Sequence, residues 1–567
     1  MPEKGPKSSS EVAVKLKIRE LTVNSARDQS WVDDITASGL EQGAHIARCN
    51  AKLINRDLIR PCFWQDMEEV SEDTCSLAFG LFDRYGRVER KYVEPGFRQG
   101  NGAWGRELDH GNILLFEKLT VDSEARRRGV GTKLVQAVLD RVRGIAGQRK
   151  FIVVVGPGIL NQGVDETDKD EALRVLATAR RFWRSLGFRR VGTSSWFAFS
   201  DDPGHPSQQL DISKEWDAPQ ETGPYTAVSA HVQEALSNLL SIRHLNAEQV
   251  HQLEETLPGD AEDERWFATD EDGNTVLHLA AIRGSQEVTT YIVLRCPSLG
   301  TARNREGDTP LEALQTSMEH RRTRRNYMDM MEVVSDMFPG FSQQIMACVG
   351  LLSGTRLFDL TQLSREEISE ISSATDEQAR MIHTEADAIR HTLRLKYGCI
   401  CGTCIGGFLS PRMKRMLIEQ AAIQRDEDTM MFDDDDWIDQ VHEILSNRFT
   451  ECLQNGMIPS EDNIVHLVSD EEHQTLDAFL QDGGTVNHQI STIFERILGS
   501  EDWGLLLRND PQVTALYEKL PECRNDLELG FVSGMCGYRR VSPGRQYYHD
   551  GLLDDEEDGE DEDDDDY

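Results

Sequence analysis

The chain contains 567 residues, 38% of them hydrophobic, and its 99 Asp and Glu residues against 61 Lys and Arg residues give a formal net charge of −38. This length predicts roughly three or four domains, and the charge favours cationic partners over direct contact with nucleic acid, although acidity that serves only solubility would look the same. No run approaches the roughly 18 apolar residues of a membrane span, so we expect no binding to a membrane. Because no apolar segment stands at the N-terminus, we expect that the protein is not secreted and that its 11 cysteines are in a reducing compartment, the cytoplasm or the nucleus.

The clearest secondary structure begins well inside the chain. Residues 1–10 are predicted to be disordered, and the first strong element is an apolar strand at 113–121. A helix follows it, because apolar residues recur at spacings of three and four and so share one face: Leu134, Val135, Val138, Leu139 and Val142. Runs of β-branched and aromatic residues predict strands at 151–155 and 191–199, with a helix at 171–186 between them.

A basic, glycine-containing loop connects the first strand to the helix, and its sequence is Arg126-Arg127-Arg128-Gly129-Val130-Gly131-Thr132. A helix N-terminus carries about half a positive charge and has N–H groups without a helical partner, so three arginines crowded there favour a bound anion. Gly129 and Gly131 lack a Cβ and let backbone N–H groups approach a pyrophosphate closely. The loop therefore predicts a nucleotide-like ligand, with an ordinary basic loop before a helix as the alternative.

These elements in this order, together with the segment Phe182-Trp183-Arg184-Ser185-Leu186-Gly187-Phe188, resemble the GNAT family of N-acetyltransferases. The resemblance covers residues 11–202 and is clearest at 113–199. It implies a mixed α/β sheet that binds acetyl-CoA, with a backbone N–H at Leu119 that stabilises the oxyanion. The cofactor-binding residues that it implies are Leu119, Thr120, Val121, Arg126, Arg127, Arg128, Gly129, Val130, Gly131 and Thr132.

The transfer also needs a base that accepts a proton from the acceptor amine. We predict Glu117, which lies two residues before Leu119 and, because side chains alternate along a strand, on the same face. A solvated or ion-paired Glu117 is the competing interpretation. Asp109 and His110, at the entrance to the strand, are second candidates.

The helix at 171–186 departs from the family pattern at two positions. Trp183 stands where the family often has a tyrosine as general acid, and Leu176 stands where it often has an asparagine. An indole is not a useful proton donor, but a thiol titrates near ~8.5, so its thiolate is a fair leaving group. Cofactor binding is therefore better supported than turnover.

Residues 203–226 are rich in Pro, Gly, Ser and Gln and are predicted to be a linker. Beyond it, 272–284 resembles an ankyrin repeat, and a weaker copy begins at Gly307, with a period of 34 residues between the two against ~33 for this repeat. Such repeats need stacked neighbours, so helical stretches at 228–257 and 327–352 are expected to complete a stack over 227–350. The resemblance implies a protein partner, and a stack that only braces the first domain is the equal alternative.

Residues 351–548 are predicted to be mostly helical, for example at 437–453, and the acidic tail at 549–567 is predicted to be disordered. The basic run at 321–325 is interpreted as a solvated helix face rather than as a nuclear import signal.

A cysteine cluster stands out in this region: Cys399, Cys401 and Cys404, in a glycine-rich segment that resembles one found in multidomain fungal proteins with ankyrin repeats and unassigned function. The three thiols could form part of a zinc site if Cys536 or a distant His supplied the fourth ligand. A tight turn with buried thiols is the favoured interpretation.

Together these features predict a multidomain protein of α/β plus all-α class. Its first domain is expected to move an acetyl group from acetyl-CoA to a primary amine, which belongs to a protein lysine, a protein N-terminus, a polyamine or a small amine. The alternative is a scaffold whose GNAT-like domain binds CoA without turnover and whose repeats bind a protein.

Overall fold

The computed structural model describes residues 13–20, 31–146, 151–158, 169–215, 251, 255, 257–270, 272–327, 330–374, 376–431, 437–499 and 511–540. The chain divides into two compact units. The first comprises Met1–Ser229, Phe267–Thr275 and Ala302–Thr309, and the second comprises Ala230–Trp266, Val276–Thr301 and Pro310–Tyr567. The predicted disorder at 1–10 and 549–567 and most of the predicted helical stretch at 228–257 lie outside the described residues.

Among the described residues, the first unit contains a seven-stranded mixed sheet with strand order β1-β2-β3-β4-β5-β7-β6. Its strands are β1 (Ala13–Glu20), β2 (Val32–Glu41), β3 (Ala44–Ile54), β4 (Asn112–Val121), β5 (Phe151–Val155), β6 (Arg189–Arg190) and β7 (Phe197–Phe199). Neighbouring strands are antiparallel except β4 and β5, which are parallel. Its helices are α1 (Arg56–Ile59), α2 (Phe63–Glu68), α3 (Glu72–Leu81), α4 (Arg90–Val93), α5 (Val130–Ala146), α6 (Lys169–Ser185) and α7 (Pro206–Gln209).

The amphipathic helix α5 packs its apolar face on one side of this sheet. Its apolar residues at spacings of three and four are all buried, in one core with residues of β3 and β4: Leu134, Val135, Val138, Leu139 and Val142. The strands predicted at 113–121 and 151–155 and the helices predicted after the loop and at 171–186 are confirmed by β4, β5, α5 and α6. The helices were predictable from apolar residues that repeat on one face, and the strands from short, continuous apolar runs.

The single strand predicted at 191–199 is wrong, because the chain forms the hairpin β6–β7 there. The N–H of Val191 donates to the carbonyl of Trp196 at 2.9 Å, which closes the turn. Gly192 lies in this turn with a φ of +53°, and a Cβ at that position would stand 2.4 Å from the carbonyl oxygen of Arg98. Strand-forming composition therefore concealed a turn that one glycine makes possible.

The first unit also extends beyond the predicted boundary at residue 202. Residues 203–215, predicted as the start of a linker, include α7 and pack onto the unit. Gln208 Nε2 donates to the carbonyl of Ser200 at 2.7 Å, and buried Glu215 accepts the N–H of Arg190 at 2.6 Å. This stretch therefore belongs to the first unit instead of to a linker.

Two turns from the predicted repeat region also belong to the first unit, and they have the same backbone hydrogen bond. The N–H of Asp270 donates to the carbonyl of Asn274 at 3.0 Å, and 34 residues later the N–H of Asn304 donates to the carbonyl of Asp308 at 3.0 Å. The period read from the sequence therefore reappears in the backbone of the two turns.

The second turn is held against the segment that follows α4. Buried Arg98 pairs with Asp308, and its Nη1 lies 3.1 Å from Glu306 Oε2. Gly307 has a φ of +82° and lies against the ring of Phe97, which leaves no room for a Cβ. A part of the predicted repeats thus contributes to the unit that carries the sheet.

The second unit is mostly helical, as predicted. Its described residues form the helices α8 (Val276–Arg283), α9 (Gln286–Arg295), α10 (Pro310–Thr323), α11 (Gln343–Ser353), α12 (Arg365–Ser373), α13 (Asp376–Ile382), α14 (Ala386–Lys396), α15 (Pro411–Met431), α16 (Trp437–Gln454), α17 (Glu461–His466), α18 (Asp470–Gln481), α19 (Val486–Gly499), α20 (Pro511–Glu518) and α21 (Leu529–Met535). The helix predicted at 437–453 is confirmed by α16. None of the helices formed by described residues is both long and apolar enough to cross a membrane.

Two expectations for the repeat region need correction. The stretch at 327–352 is not continuously helical, because β8 (Arg324–Tyr327) and β9 (Met330–Val333) form a hairpin before α11 begins. The basic run at 321–325 is not simply a solvated helix face, because Arg322 is only 1% exposed and its Nη2 donates to Asn525 Oδ1 at 2.8 Å. The hairpin is a local structure that the sequence analysis missed, whereas the burial of Arg322 depends on a residue 203 positions away.

Candidate active site

The strand β4 separates from β5 halfway along its length. The two strands are in register from Asn112 opposite Phe151 to Phe116 opposite Val155, where β5 ends, whereas β4 continues through Leu119–Val121. On its other edge, β4 stays paired with β3. The predicted residues Leu119, Thr120 and Val121 therefore lie where β4 has no strand partner on this edge among the described residues.

The basic loop leads from this strand to the N-terminus of α5, as predicted. The helix begins at Val130, and Gly129 just before it has a φ of +74°, with no atom within 4 Å of the position that a Cβ would occupy. At Gly131 a Cβ would stand 3.3 Å from the ring of Phe182, and Thr132 is exposed in the first turn. Because the first N–H groups of a helix have no helical partner, the open space beside Gly129 suits a phosphate group.

Two of the three arginines already make contacts within the protein, so a bound anion is not required to hold them in place. Arg126 Nε donates to the carbonyl of Val121 at 3.0 Å. Arg128 pairs with Glu41 at the end of β2, with 3.0 Å between Nη1 and Oε2. Arg127 has a φ of +60°, a conformation that costs about 1–2 kcal/mol in a residue with a side chain. A carboxylate of the protein thus neutralises one arginine, and a diphosphate would compete with it.

A β-bulge in β4 decides which face Glu117 occupies. The register of β4 with β3 shifts between Asn50 and Ala51, which leaves Glu117 as the extra residue. Phe116 and Leu119 both pack into the core that contains α5, whereas Glu117 lies on the opposite side of the sheet. The prediction that Glu117 shares a face with Leu119 is therefore wrong, because one inserted residue reverses the alternation.

Glu117 lies in a sheltered, polar environment on that side. The hydroxyl of Ser71, which caps the N-terminus of α3, donates to Glu117 Oε1 at 2.8 Å. Lys52 Nζ lies 3.7 Å from the same oxygen and 2.6 Å from Asp34 Oδ1. Burial raises the pKa of Glu117, although the charge of Lys52 and the bond from Ser71 counteract this effect. A carboxylate with a raised pKa suits a general base.

The aromatic residue at the family's general-acid position is part of the core. Trp183 is 6% exposed, and its ring centroid lies 5.3 Å from that of Phe116 and 4.9 Å from that of Phe188. Leu176, earlier on α6, is half-buried. Trp183 therefore has a packing role in this structure, in agreement with the doubt about its use as an acid.

The second candidates for the base lie at the wrong end of β4. Asp109 is buried, accepts the N–H of Val88 at 2.7 Å, and pairs with Arg106 at 3.1 Å. Burial also raises the pKa of Asp109. Asp109 and exposed His110 precede β4, whose first residue, Asn112, is roughly 23 Å from Leu119 because a strand rises about 3.3 Å per residue. Asp109 therefore has a structural role, and both residues are far from the strand segment that contains Leu119.

A second group of reactive side chains lies in the second unit. The Sγ atoms of Cys399, Cys401, Cys404 and Cys523 all lie within 4.8 Å of one another. The residue that joins the three predicted cysteines is thus Cys523 rather than Cys536. The interpretation as a turn with buried thiols is only half right, because Cys399 and Cys401 are partly exposed.

Several residues of these sites escaped the sequence analysis: Glu41, Lys52, Ser71 and Cys523. Ser71 gave a usable signal, because a Ser three residues before a Thr at the start of an apolar helix is typical of a helix cap. The other three are distant in sequence from the residues they contact, and nothing in their own neighbourhood indicates the contact.

Comparisons with known proteins agree with this geometry. No curated protein and no solved structure shows significant similarity to the chain. An ankyrin repeat and a likeness to multidomain fungal proteins are not shown either, so both stay predictions. Residues 83–190, which span β4, the basic loop, α5, β5 and α6, match the model of the acetyltransferase (GNAT) domain. The first unit of this protein therefore contains a GNAT acetyltransferase domain at residues 83–190.

Proposed function

We propose that the first unit transfers the acetyl group of acetyl-CoA to a primary amine. One observation carries the proposal: β4 leaves β5 beside the loop Arg126–Thr132, so an open strand edge and a helix N-terminus adjoin. The first feature can hold a thioester and the second can hold a pyrophosphate. The GNAT match over the same elements supports acetyl-CoA as the donor.

The cofactor would use the face of the sheet that carries α5. Its pyrophosphate would accept hydrogen bonds from the first N–H groups of α5, where the glycine at 129 leaves space. Arg126 and Arg127 add positive charge, and Arg128 becomes available when the diphosphate displaces Glu41. The thioester carbonyl would then lie at the open edge of β4, where the N–H of Leu119 stabilises the oxyanion.

The acceptor amine would approach from the opposite face. Glu117 takes a proton from the amine, the nitrogen attacks the carbonyl carbon, the C–N bond forms, and the C–S bond breaks. CoA leaves as a thiolate and is then protonated. Because a thiol titrates near ~8.5, this departure needs no side-chain acid, and buried Trp183 is no obstacle.

The charges around Glu117 favour a cationic acceptor. Asp34 Oδ1 lies 2.6 Å from Lys52 Nζ, and Asp73 and Glu72 in the first turn of α3 add two carboxylates near this face. The net charge of −38 extends the same attraction to longer range. A lysine side chain or a polyamine therefore fits the acceptor side better than a neutral or acidic amine.

The test compares two charge reversals. In Arg126→Glu the loop loses a phosphate ligand, so we expect the dissociation constant of acetyl-CoA to rise about 10- to 100-fold, as for loss of a charged hydrogen bond. Arg141→Glu makes the same charge change on the exposed side of α5 and should leave binding unchanged. Binding is measured by calorimetry, and turnover by CoA release with lysine peptides and polyamines.

Equal losses of affinity in the two variants would show that the loop does not bind the cofactor. Tight binding of acetyl-CoA by the wild-type chain, with no CoA release in the presence of any of these amines, would contradict the enzymatic part of the proposal.

A further inference from the structure

We propose that Cys399, Cys401, Cys404 and Cys523 bind one zinc ion as a structural site of the second unit. Zinc in such sites is held by four protein ligands in a tetrahedron, and four thiolates are one of the common sets. The proposal concerns residues outside the acetyltransferase domain and does not depend on its activity.

The sulfur positions agree with a tetrahedron. The Sγ atoms are 3.7 Å apart for Cys399 and Cys401, 3.6 Å for Cys401 and Cys404, and 3.4 Å for Cys404 and Cys523. A Zn–S bond of about 2.3 Å predicts an S···S edge of about 3.8 Å, whereas a disulfide requires about 2.0 Å. All pairs lie within 4.8 Å, so one ion can reach the four sulfurs with small adjustments.

The local backbone turns the first three sulfurs toward one point. The N–H of Cys399 donates to the carbonyl of Arg394, at the end of α14, at 2.8 Å. Gly402 and Gly407 have φ values of +73° and +87° in the turn that follows. A Cβ at Gly407 would stand 2.4 Å from the carbonyl oxygen of Leu393, so the turn lies directly against α14. A side chain at this position would displace the turn that presents the thiols.

Hydrogen-bond donors around the sulfurs favour the thiolate form that zinc requires. The backbone N–H of Asn525 donates to the thiol of Cys523, and the N–H of Asp526 donates to the carbonyl of Cys523 at 3.1 Å. The hydroxyl of Thr403 donates to Cys401 Sγ at 3.2 Å. Such donors are typical of sites that hold a metal through thiolates.

Two arginines hold the segment around Cys523 beside the cysteine turn. Arg412, at the start of α15, donates from Nε to the carbonyl of Leu520 at 3.0 Å, and its Nη1 lies 3.0 Å from Glu522 Oε1. Buried Arg322 donates to Asn525, two residues after Cys523. The fourth sulfur is thus positioned by contacts that do not involve the cysteines themselves.

The first test measures zinc in the full-length chain, expressed with zinc in the medium and freed of loosely held metal by gel filtration. Elemental analysis should find one zinc ion per chain. In Cys404→Ala and Cys523→Ala the content should fall to background. Cys536→Ala is the matched control, because it removes a buried thiol of the same unit that is not in the group, and it should keep its zinc.

A second measurement on the wild-type chain removes the risk that the variants simply misfold. Replacement of zinc by Co²⁺ should give the intense visible bands of a tetrahedral thiolate complex, and a chelator should make four further thiols reactive toward a thiol reagent. Wild-type chain without metal, with these thiols already reactive, would overturn the proposal. A mapped Cys404–Cys523 disulfide in that chain would overturn it in favour of a redox pair.

Discussion

The charged side chains at the two ends of the candidate active site differ in their exposure to solvent. At the cofactor end, the basic loop is exposed, and Arg128 meets Glu41 at the surface. At the acceptor end, the side chain of Glu117 is only 13% exposed and that of Lys52 is 9% exposed. Exposed cations keep their charge and attract a diphosphate from solvent, whereas burial raises the pKa of a carboxylate toward the range of a useful base. In the proposed mechanism, cofactor binding and proton transfer would thus rely on different degrees of burial.

The largest effect is expected from the sheltered end. In Glu117→Gln the base is lost while the shape is kept, so kcat/KM for amine acetylation should fall about 100- to 10,000-fold. The wild-type rate should rise with pH as Glu117 ionises, and the variant should lack this rise. Glu68→Gln removes an exposed carboxylate at the end of α2 that has no part in the proposed site, and it should keep both rate and pH profile. An unchanged rate in Glu117→Gln would remove Glu117 from the mechanism.

The same variant should not lose stability, which separates a catalytic from a structural role. Folding raises the pKa of Glu117, so its favourable contribution to stability is present below the ordinary glutamate pKa of about 4.3 and is lost as pH rises through the raised value. A neutral glutamine avoids this loss. The melting temperature of Glu117→Gln should therefore equal or exceed that of the wild type at neutral pH, and the difference should shrink in acid.

A smaller effect is expected at the exposed end, where Glu41 competes with the cofactor for Arg128. In Glu41→Gln the guanidinium is available to the diphosphate, so acetyl-CoA should bind about two- to five-fold more tightly, within the range of exposed ion pairs. Glu124→Gln, which removes an exposed carboxylate just before the loop, controls for the change in net charge. Weaker binding in Glu41→Gln than in this control would show that the pair orders the loop instead.

The smallest effect concerns the backbone of the loop. Arg127 adopts a φ of +60°, so Arg127→Gly should relieve strain and change the free energy of unfolding by no more than about 1 kcal/mol, in the stabilising direction. Arg141→Gly places the same substitution inside α5, where it should destabilise by about 1 kcal/mol. Chemical denaturation of both variants measures the two values. Destabilisation of equal size in both would mean that the loop does not hold Arg127 in this conformation.

Much of the central fold was predictable from short stretches of sequence. The strand at 113–121 follows from a continuous apolar run, and the helix after the loop and the helix at 171–186 each repeat one apolar period. The hairpin at 189–199 was not predictable in this way, because its turn depends on a close approach of Gly192 to the backbone of Arg98. Amino-acid composition indicates only the propensity to form a strand, whereas the contact between Gly192 and Arg98 exists only in the folded chain.

The sequence by itself determined the chemistry on offer: a glycine-containing basic loop before a helix, a carboxylate in the adjoining strand, and three cysteines within six residues. Only the tertiary structure decided how these groups are used. The bulge moved Glu117 to the face opposite Leu119, Glu41 engaged Arg128, and Cys523 reached Cys404 from 119 residues away. Helices and strands form from residues that are neighbours along the chain. The face that a side chain occupies, the residue it pairs with and the cysteines it joins depend on which distant segments pack together.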